Sequence, residues 1–370
     1  MITGFIRRAL NQLLARITYF LATFGTRSRN FIEQFISRKT ERYELSRTVL
    51  VDQKPVTKLA ILALFPRSPL RLSINRLCTA LTNNGYHIIA VINESSDKNE
   101  TSLWLTDLTN FNATIIQRPN IGRDFAAFRT GYRYLEKHGL LNNAERLIFA
   151  NDSCYYGTKS IAFISQLLSE PADLQGITVN YVAEFHVQSF FIVFSQKIFN
   201  TEWFSSYWRK YRISDLRHLT IRRGEIALSV LCREHGFTPR GFITAERILQ
   251  DDNFKGFTED EEAAIWRESG LVDYLSSRGS AESTILFKRQ FLERSTAHHH
   301  GLVASRVLGA PLKLDLFKSG LASNEGLRQS ICAMGAEASE CEALIDYMNR
   351  DGSEASIWGI RRLWRSTGLI

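Results

Sequence analysis

Cysteine is scarce and scattered in this 370-residue chain. Its five cysteines, Cys78, Cys154, Cys232, Cys332 and Cys341, are odd in number and form no C-x-x-C pair. That excludes a disulfide scaffold and a zinc ribbon, and it points to a reducing compartment. A long apolar run is also missing. A membrane-crossing helix needs about 20 apolar residues, whereas Arg16 and Arg27 leave only ten residues between them. The apolar stretch Ile17–Gly25 is followed by no small-x-small cleavage site, so export is not expected. Neither G-x-G-x-x-G nor G-x-x-x-x-G-K-[ST] occurs. Dinucleotide oxidoreductases and P-loop nucleotide hydrolases thereby become poor candidates. No internal repeat and no low-complexity tract interrupts the chain. What remains is an ordinary folded composition, 44% hydrophobic, in a chain long enough to bury a core and form about two or three domains.

The formal net charge is +8, and its placement says more than its size. Residues 1–50 carry nine Lys/Arg against three Asp/Glu, while the stretch from Trp358 onward adds Arg361, Arg362 and Arg365 and no acid. The body, 51–357, is left at −1. No basic groove with interleaved aromatics is present in it, so nucleic acid is not an expected partner. Both ends are amphipathic at helical spacing. Phe5, Ile6, Leu10, Leu13, Leu14 and Ile17 oppose Arg7, Arg8, Asn11 and Gln12, and Ile357, Ile360, Leu363 and Trp364 oppose the three C-terminal arginines. Such faces suit helices lying in the headgroup region of an anionic membrane surface. Packing against the domain is the alternative use of the same pattern.

Between the ends, short apolar runs alternate with amphipathic segments. Strands are expected at Lys58–Phe65, Tyr86–Asn93, Ala113–Gln117, Glu145–Ala150 and Leu174–Asn180. Helices are expected at Leu70–Asn84, Ser102–Leu108 and Arg123–His138. This alternation predicts a parallel α/β sheet. Beyond Asn180 a strand is expected at Val187–Phe194, flanked by helices Gln196–Lys210 and Gly224–His235, and from about Gln250 the chain reads as largely helical. His298, His299 and His300 are adjacent and so point in different directions, which favours a loop over a metal site.

In an open parallel sheet, ligands lie beyond the carboxyl ends of the strands. Three such ends carry polar chemistry: Phe65-Pro-Arg67, the run Arg118–Asp124, and Asn151-Asp152-Ser153. An Arg–Asp pair at a helix start suits a phosphorylated ligand. Helix capping by Asn120, Gly122 and Asp124 is the structural alternative for the second run, and a polar turn is the alternative for the third.

The run RPNIGRDFAAFRTGYRYL, followed by ERLIFANDSCYYG, ITVN and HVQSFFIVF, resembles the rhamnan synthesis protein F family of the glycosyltransferase type A superfamily. The resemblance covers roughly residues 58–245, and Ala310–Leu316 resembles a further segment of that family. It implies a glycosyltransferase type A-like, Rossmann-like, mostly parallel sheet flanked by helices, with helical N- and C-terminal extensions. On that basis residues 1–50 form a basic amphipathic region, 51–250 a catalytic domain and 251–370 a mainly helical region. The implied activity is an inverting transfer from a nucleoside-diphosphate sugar to a lipid-linked glycan acceptor, at the cytoplasmic face of the membrane. Donor contacts fall on Phe65, Arg67, Asn120, Gly122, Arg123, Asp124, Asn151 and Asp152. The superfamily's D-x-D becomes Asn151-Asp152-Ser153, where only Asp152 is a carboxylate. A Mg2+ or Mn2+ ion on Asp152 is the implied cofactor, on donors that are weak for a hard cation. Arg67 or Arg123 is an alternative source of positive charge for the diphosphate. The superfamily's base helix matches Gly224–Gly236, which makes Glu225 the expected base and Glu184 the reserve. His186 and Gln188 are expected at the acceptor, or as a polar pair at a strand edge. A non-catalytic scaffold on the same fold is the rival reading.

Overall fold

The computed structural model describes residues 44–47, 56–181, 184–252, 297, 300–318 and 323–351. Both amphipathic ends, the acidic stretch Thr258–Glu262, and His298 and His299 lie outside the described residues. His300 is buried at a bend that precedes a helix.

The strands arise where the sequence is apolar on both faces, as fully covered parallel strands require. In chain order they are β1 (Glu44–Arg47), β2 (Lys58–Leu64), β3 (His87–Asn93), β4 (Thr114–Arg118), β5 (Arg146–Asn151), β6 (Cys154–Tyr155), β7 (Leu174–Gly176), β8 (Val179–Asn180), β9 (His186–Val187), β10 (Phe191–Ser195), β11 (Arg240–Gly241) and β12 (Leu312–Lys313). An eight-stranded sheet runs β1-β4-β3-β2-β5-β10-β7-β11. β6 pairs with β12 and β8 with β9 in two small separate sheets. The expected α/β class is therefore present, and the sheet is mostly parallel. Two strands differ: β1 pairs antiparallel with β4, and β10 lies antiparallel between β5 and β7. β10 returns beside its neighbour β7 with no helix between them, a connection that antiparallel strands allow and parallel ones do not.

The longer helices are α1 (Arg71–Asn83), α2 (Lys98–Asn110), α3 (Arg123–Lys137), α4 (Lys159–Ser169), α5 (Glu202–Lys210), α6 (Ala227–Glu234), α7 (Gly301–Leu308), α8 (Asn324–Ala333) and α9 (Ala338–Asp351). Helix α2 is longer than expected because Asp97 caps it, accepting from Glu100 N–H at 2.9 Å. The helix expected over Gln196–Lys210 is broken at Asn200, and Thr201 caps the second part through Phe204 N–H.

Alternation along β2 divides the core into two layers. Ala60, Leu62 and Leu64 join the cluster containing Leu77, Trp104, Ile164, Leu302, Leu327 and Leu344. Leu59, Ile61 and Ala63 join the opposite cluster, with Phe125, Phe128, Phe149, Phe204, Trp208 and Leu228. The C-terminal helices α7, α8 and α9 thus share a core with α1 and α4. Arg76 on α1 pins α9 with two hydrogen bonds to Glu340, at 2.6 and 2.7 Å. The Tyr155 hydroxyl also donates to Glu340, at 2.9 Å. Among the described residues no helix is long and apolar enough to cross a membrane.

Candidate active site

β2 and β5 are neighbours, yet the chain leaves β2 for β3 on one side and returns to β5 on the other. Loops diverge at such a switch point and leave a crevice beyond the carboxyl ends. Phe65–Arg67 follow β2, and Asn151–Ser153 end β5. The two loops are tied together by Phe65 N–H, which donates to Asp152 Oδ2 at 2.6 Å. The crevice is a cleft of about 600 Å³, the size of a small-molecule site.

The loop after β4 is held from beneath. Arg118 is buried and donates to Asn93 Oδ1 at 2.6 Å and to the Ile121 carbonyl at 2.7 Å. Burial lowers its pKa to about 10. Gly122 follows at φ 80°, and a Cβ there would lie 2.1 Å from Ile213 Cγ2. Its N–H donates to Asp215 Oδ1 at 2.5 Å. Arg123 is also left-handed, at φ 56°, a conformation that costs a non-glycine residue of order 1 kcal/mol and collects at functional sites. The Arg123 side chain lines the cleft. Asp124 turns inward: Oδ1 accepts from Phe125 N–H at 3.0 Å and Oδ2 accepts from Asn151 Nδ2 at 2.9 Å, with Ser189 Oγ 3.2 Å from Oδ2.

Ser189 bridges to the second carboxylate. Its Oγ donates to Glu225 Oε1 at 2.5 Å, and its N–H donates to the same oxygen at 3.2 Å. His186 Nε2 stands 3.4 Å from Glu225 Oε2, an ion-pair distance with no hydrogen bond formed. His186 Nδ1 is anchored on the Glu184 carbonyl at 2.6 Å. These environments drive the two acids apart. Burial, and then the charge of Glu225, raise the pKa of Asp124. Burial would raise Glu225 too, but His186, Lys313 and Ser189 outweigh it and hold its pKa down at about 2. Glu225 is therefore a carboxylate at physiological pH. Burial raises the pKa of Asp152, against the opposing charge of Arg67.

The model of the rhamnan synthesis protein F family matches residues 88–269, which include both carboxylates and their serine bridge. Among curated proteins it is similar to "Uncharacterized protein y4gN" of Sinorhizobium fredii, with 27% identity over 64% of this chain and 60% of the relative. It is also similar to "Virulence protein VirA" of Vibrio anguillarum, with 26% identity over 40% of this chain and 46% of the relative. The chain thus spans about half to three-fifths of the length of these relatives. Among solved structures it is similar to the glycosyltransferase GlyE of Streptococcus pneumoniae, with 14% identity, a TM-score of 0.34, and coverage of 59% of this chain and 51% of that one. It is likewise similar to the mannosyltransferase PcManGT of Pyrobaculum calidifontis, solved with GDP-Man and Mn2+, with 10% identity, a TM-score of 0.33, and coverage of 95% and 94%.

Most residues singled out from the sequence converge on the cleft. Phe65, Arg67, Asn120, Arg123 and Asp124 line the cleft, and so do Asn151, Asp152, His186, Gln188 and Glu225. Gly122 lies behind it, as the cap of α3. Glu184 is not brought to the cleft; its half-exposed carboxylate pairs with Arg233 at 2.8 Å. Gln188 is buried and accepts from Thr178 Oγ1 at 2.7 Å. Ser189, Arg217, Lys313 and Asp315 also line the cleft and are not among the residues that the sequence singles out. Ser189 adjoins Gln188, and Lys313 lies within the Ala310–Leu316 segment, so each has a local signal.

The donors present do not fit a resident divalent cation. Among the described residues no three His, Cys, Asp or Glu side chains converge as a metal site. Asp152 Oδ2 is taken by Phe65 N–H, and both Asp124 oxygens are taken by protein donors. Asn151 Oδ1 accepts from Ser153 N–H and Oγ, at 3.1 and 2.6 Å. Hard cations need several free oxygens, and here a cation would rest on one carboxylate beside Arg67.

Proposed function

We propose that the protein is an inverting glycosyltransferase, moving a sugar from a nucleoside-diphosphate donor to a hydroxyl acceptor. The family match supports a role in glycan assembly. The observation that carries the reading is a half-buried carboxylate, Glu225, held ionised and facing the same cleft as Arg67, Arg123 and Lys313. A single displacement needs one base on the acceptor and positive charge on the leaving diphosphate, and no second nucleophilic carboxylate. Glu225 takes the acceptor proton as the acceptor oxygen attacks the anomeric carbon. Ser189 and His186 fix the carboxylate for that role. The nucleoside diphosphate leaves on the side of Arg67, Arg123 and Lys313.

Deoxyhexose, with rhamnose first, is the proposed sugar, on the strength of the family alone. The two basic amphipathic ends support a lipid-linked acceptor at the cytoplasmic face of an anionic membrane. The direct test supplies purified protein with labelled dTDP-rhamnose and other nucleotide sugars, together with a lipid-linked acceptor. Transfer with inversion at the anomeric carbon is the expected result. If no donor is bound or consumed, the enzymatic reading falls, and the scaffold reading inherits the single carboxylate of the Asn151–Ser153 turn as its support.

Arg123 separates a capping role from a binding role. Glycine relieves the left-handed backbone but removes the guanidinium. Arg123→Gly should leave stability unchanged or raised by up to about 1 kcal/mol. Nucleoside-diphosphate affinity should fall about tenfold, as expected for one lost charge-assisted hydrogen bond. Thermal melting and titration calorimetry read the two effects separately; a large loss of stability with unchanged affinity would assign Arg123 to the fold alone.

A further inference from the structure

The family match ends at residue 269, yet the cleft does not. Lys313, Leu314 and Asp315 enter it from the C-terminal part of the chain. β12 brings them there by pairing antiparallel with β6, with Lys313 opposite Cys154. Leu314 N–H then donates to the Ser153 carbonyl at 3.1 Å, so the strand is fastened to the turn that holds Asp152. Arg217 fixes the other side, donating to Asp315 Oδ2 at 2.8 Å. Leu312 and Leu314 face the core, and two-residue alternation turns Lys313 the other way.

The cations of the cleft are differently engaged. Arg217 is committed to Asp315. Arg67 lies over the Phe65 ring, and its charge acts on Asp152. Lys313 has no ion-pair carboxylate among the described residues. Its Nζ lies 5.7 Å from the Phe190 ring centroid, and its charge reaches Glu225. A lysine at the edge of the Asp152 turn is a mobile point charge at the place where a metal would otherwise meet a diphosphate, and lysine serves phosphate in that manner. Positive charge held ready for a developing anion supplies much of the rate enhancement in many transfer reactions.

We propose that Lys313 is a donor-binding residue that neutralises the leaving diphosphate, so that the cleft takes a nucleoside diphosphate without a divalent cation. The inference rests on the glycosyltransferase reading and adds to it a residue beyond residues 88–269, in the segment Ala310–Leu316, and a metal-independent mode of binding. Methionine at 313 keeps the aliphatic stem and removes the charge, while arginine keeps the charge.

Titration calorimetry with UDP, GDP and dTDP, in EDTA and again with Mn2+, tests it on the full chain. At least one nucleotide should bind in EDTA, with Mn2+ changing the affinity less than about threefold. Lys313→Met should weaken that binding about tenfold, and Lys313→Arg should stay within about threefold of wild type. Binding that requires Mn2+, or an unchanged affinity in Lys313→Met, overturns the proposal and leaves the nucleoside-diphosphate reading standing. No binding of any of the three nucleotides under either condition overturns both. The metal arm needs only wild-type protein, so the question stays decidable if Lys313→Met melts early.

Discussion

Glu225→Gln is expected to lower sugar transfer by about two to four orders of magnitude, the range for losing a general base. Nucleoside-diphosphate binding should stay within about threefold. The amide has the size of the carboxylate and still accepts from Ser189 Oγ and N–H through its oxygen. It cannot take a proton from the acceptor. Steady-state kinetics should therefore show the loss in kcat, with calorimetry showing an intact donor site. A variant with wild-type turnover would remove Glu225 from the chemistry.

The same variant carries a pH signature whose sign follows from the shift. The folded pKa of Glu225 lies near 2, below its ordinary 4.5. Ionisation therefore stabilises the fold fully above the ordinary range, and that contribution is lost as pH falls through about 2. Glutamine resembles the protonated acid at every pH. The stability gap between wild type and Glu225→Gln, read from urea midpoints, should be largest near neutrality and should narrow between about pH 4.5 and 2. A gap that stays constant with pH would mean that the carboxylate is not held ionised by His186, Lys313 and Ser189.

The sequence made some parts of this site legible because their signals are local. The strands β2, β3 and β5 are continuous apolar runs, and the polar residues after β2, β4 and β5 mark carboxyl ends where a ligand would lie. Asn151, Asp152, Arg123 and Asp124 could be placed together because parallel geometry puts them on one edge. Other parts depend on contacts that no local pattern carries. Leu174–Asn180 reads as one strand but divides at Gly176, where a Cβ would lie 2.1 Å from Val187 Cγ1. β7 pairs with β10 and β11, while β8 pairs with β9. The antiparallel setting of β10 depends on a return loop that periodicity does not report. Glu184 is close to His186 in sequence, yet it faces Arg233 outside the cleft. Lys313 reaches the turn after β5 from roughly 160 residues away, through strand pairing that has no counterpart in local spacing.

The helix that presents Glu225 yields the other large effect. The spacing predicts an α-helix from Gly224, but Ile221–Ile226 form a π-helical turn before α6, and such turns often accompany functional sites. Gly224 lies flat against Phe125: a Cβ would stand 2.6 Å from Cζ and 2.7 Å from Cε1 and Cε2. The ring has little room to retreat. It stacks on Trp208 at 6.0 Å and Tyr211 at 5.6 Å, and meets Phe128 edge-on at 5.6 Å. The backbone is also held, because the Tyr207 hydroxyl donates to the Arg223 carbonyl at 2.9 Å. Gly224→Ala should therefore cost about 1–3 kcal/mol through overpacking. The adjoining Glu225 should be pushed out of its register with Ser189 and His186, and a displacement near 1 Å typically costs about a hundredfold in rate. The overpacking part of the stability loss should persist at every pH, whereas the part that comes from Glu225 losing Ser189 and His186 should shrink as pH falls from about 4.5 toward 2. Phe125→Leu in the same chain should restore part of both losses by vacating the ring's place. Wild-type melting and turnover in Gly224→Ala would show that the ring yields, and that the close approach of Gly224 does not set the position of the base.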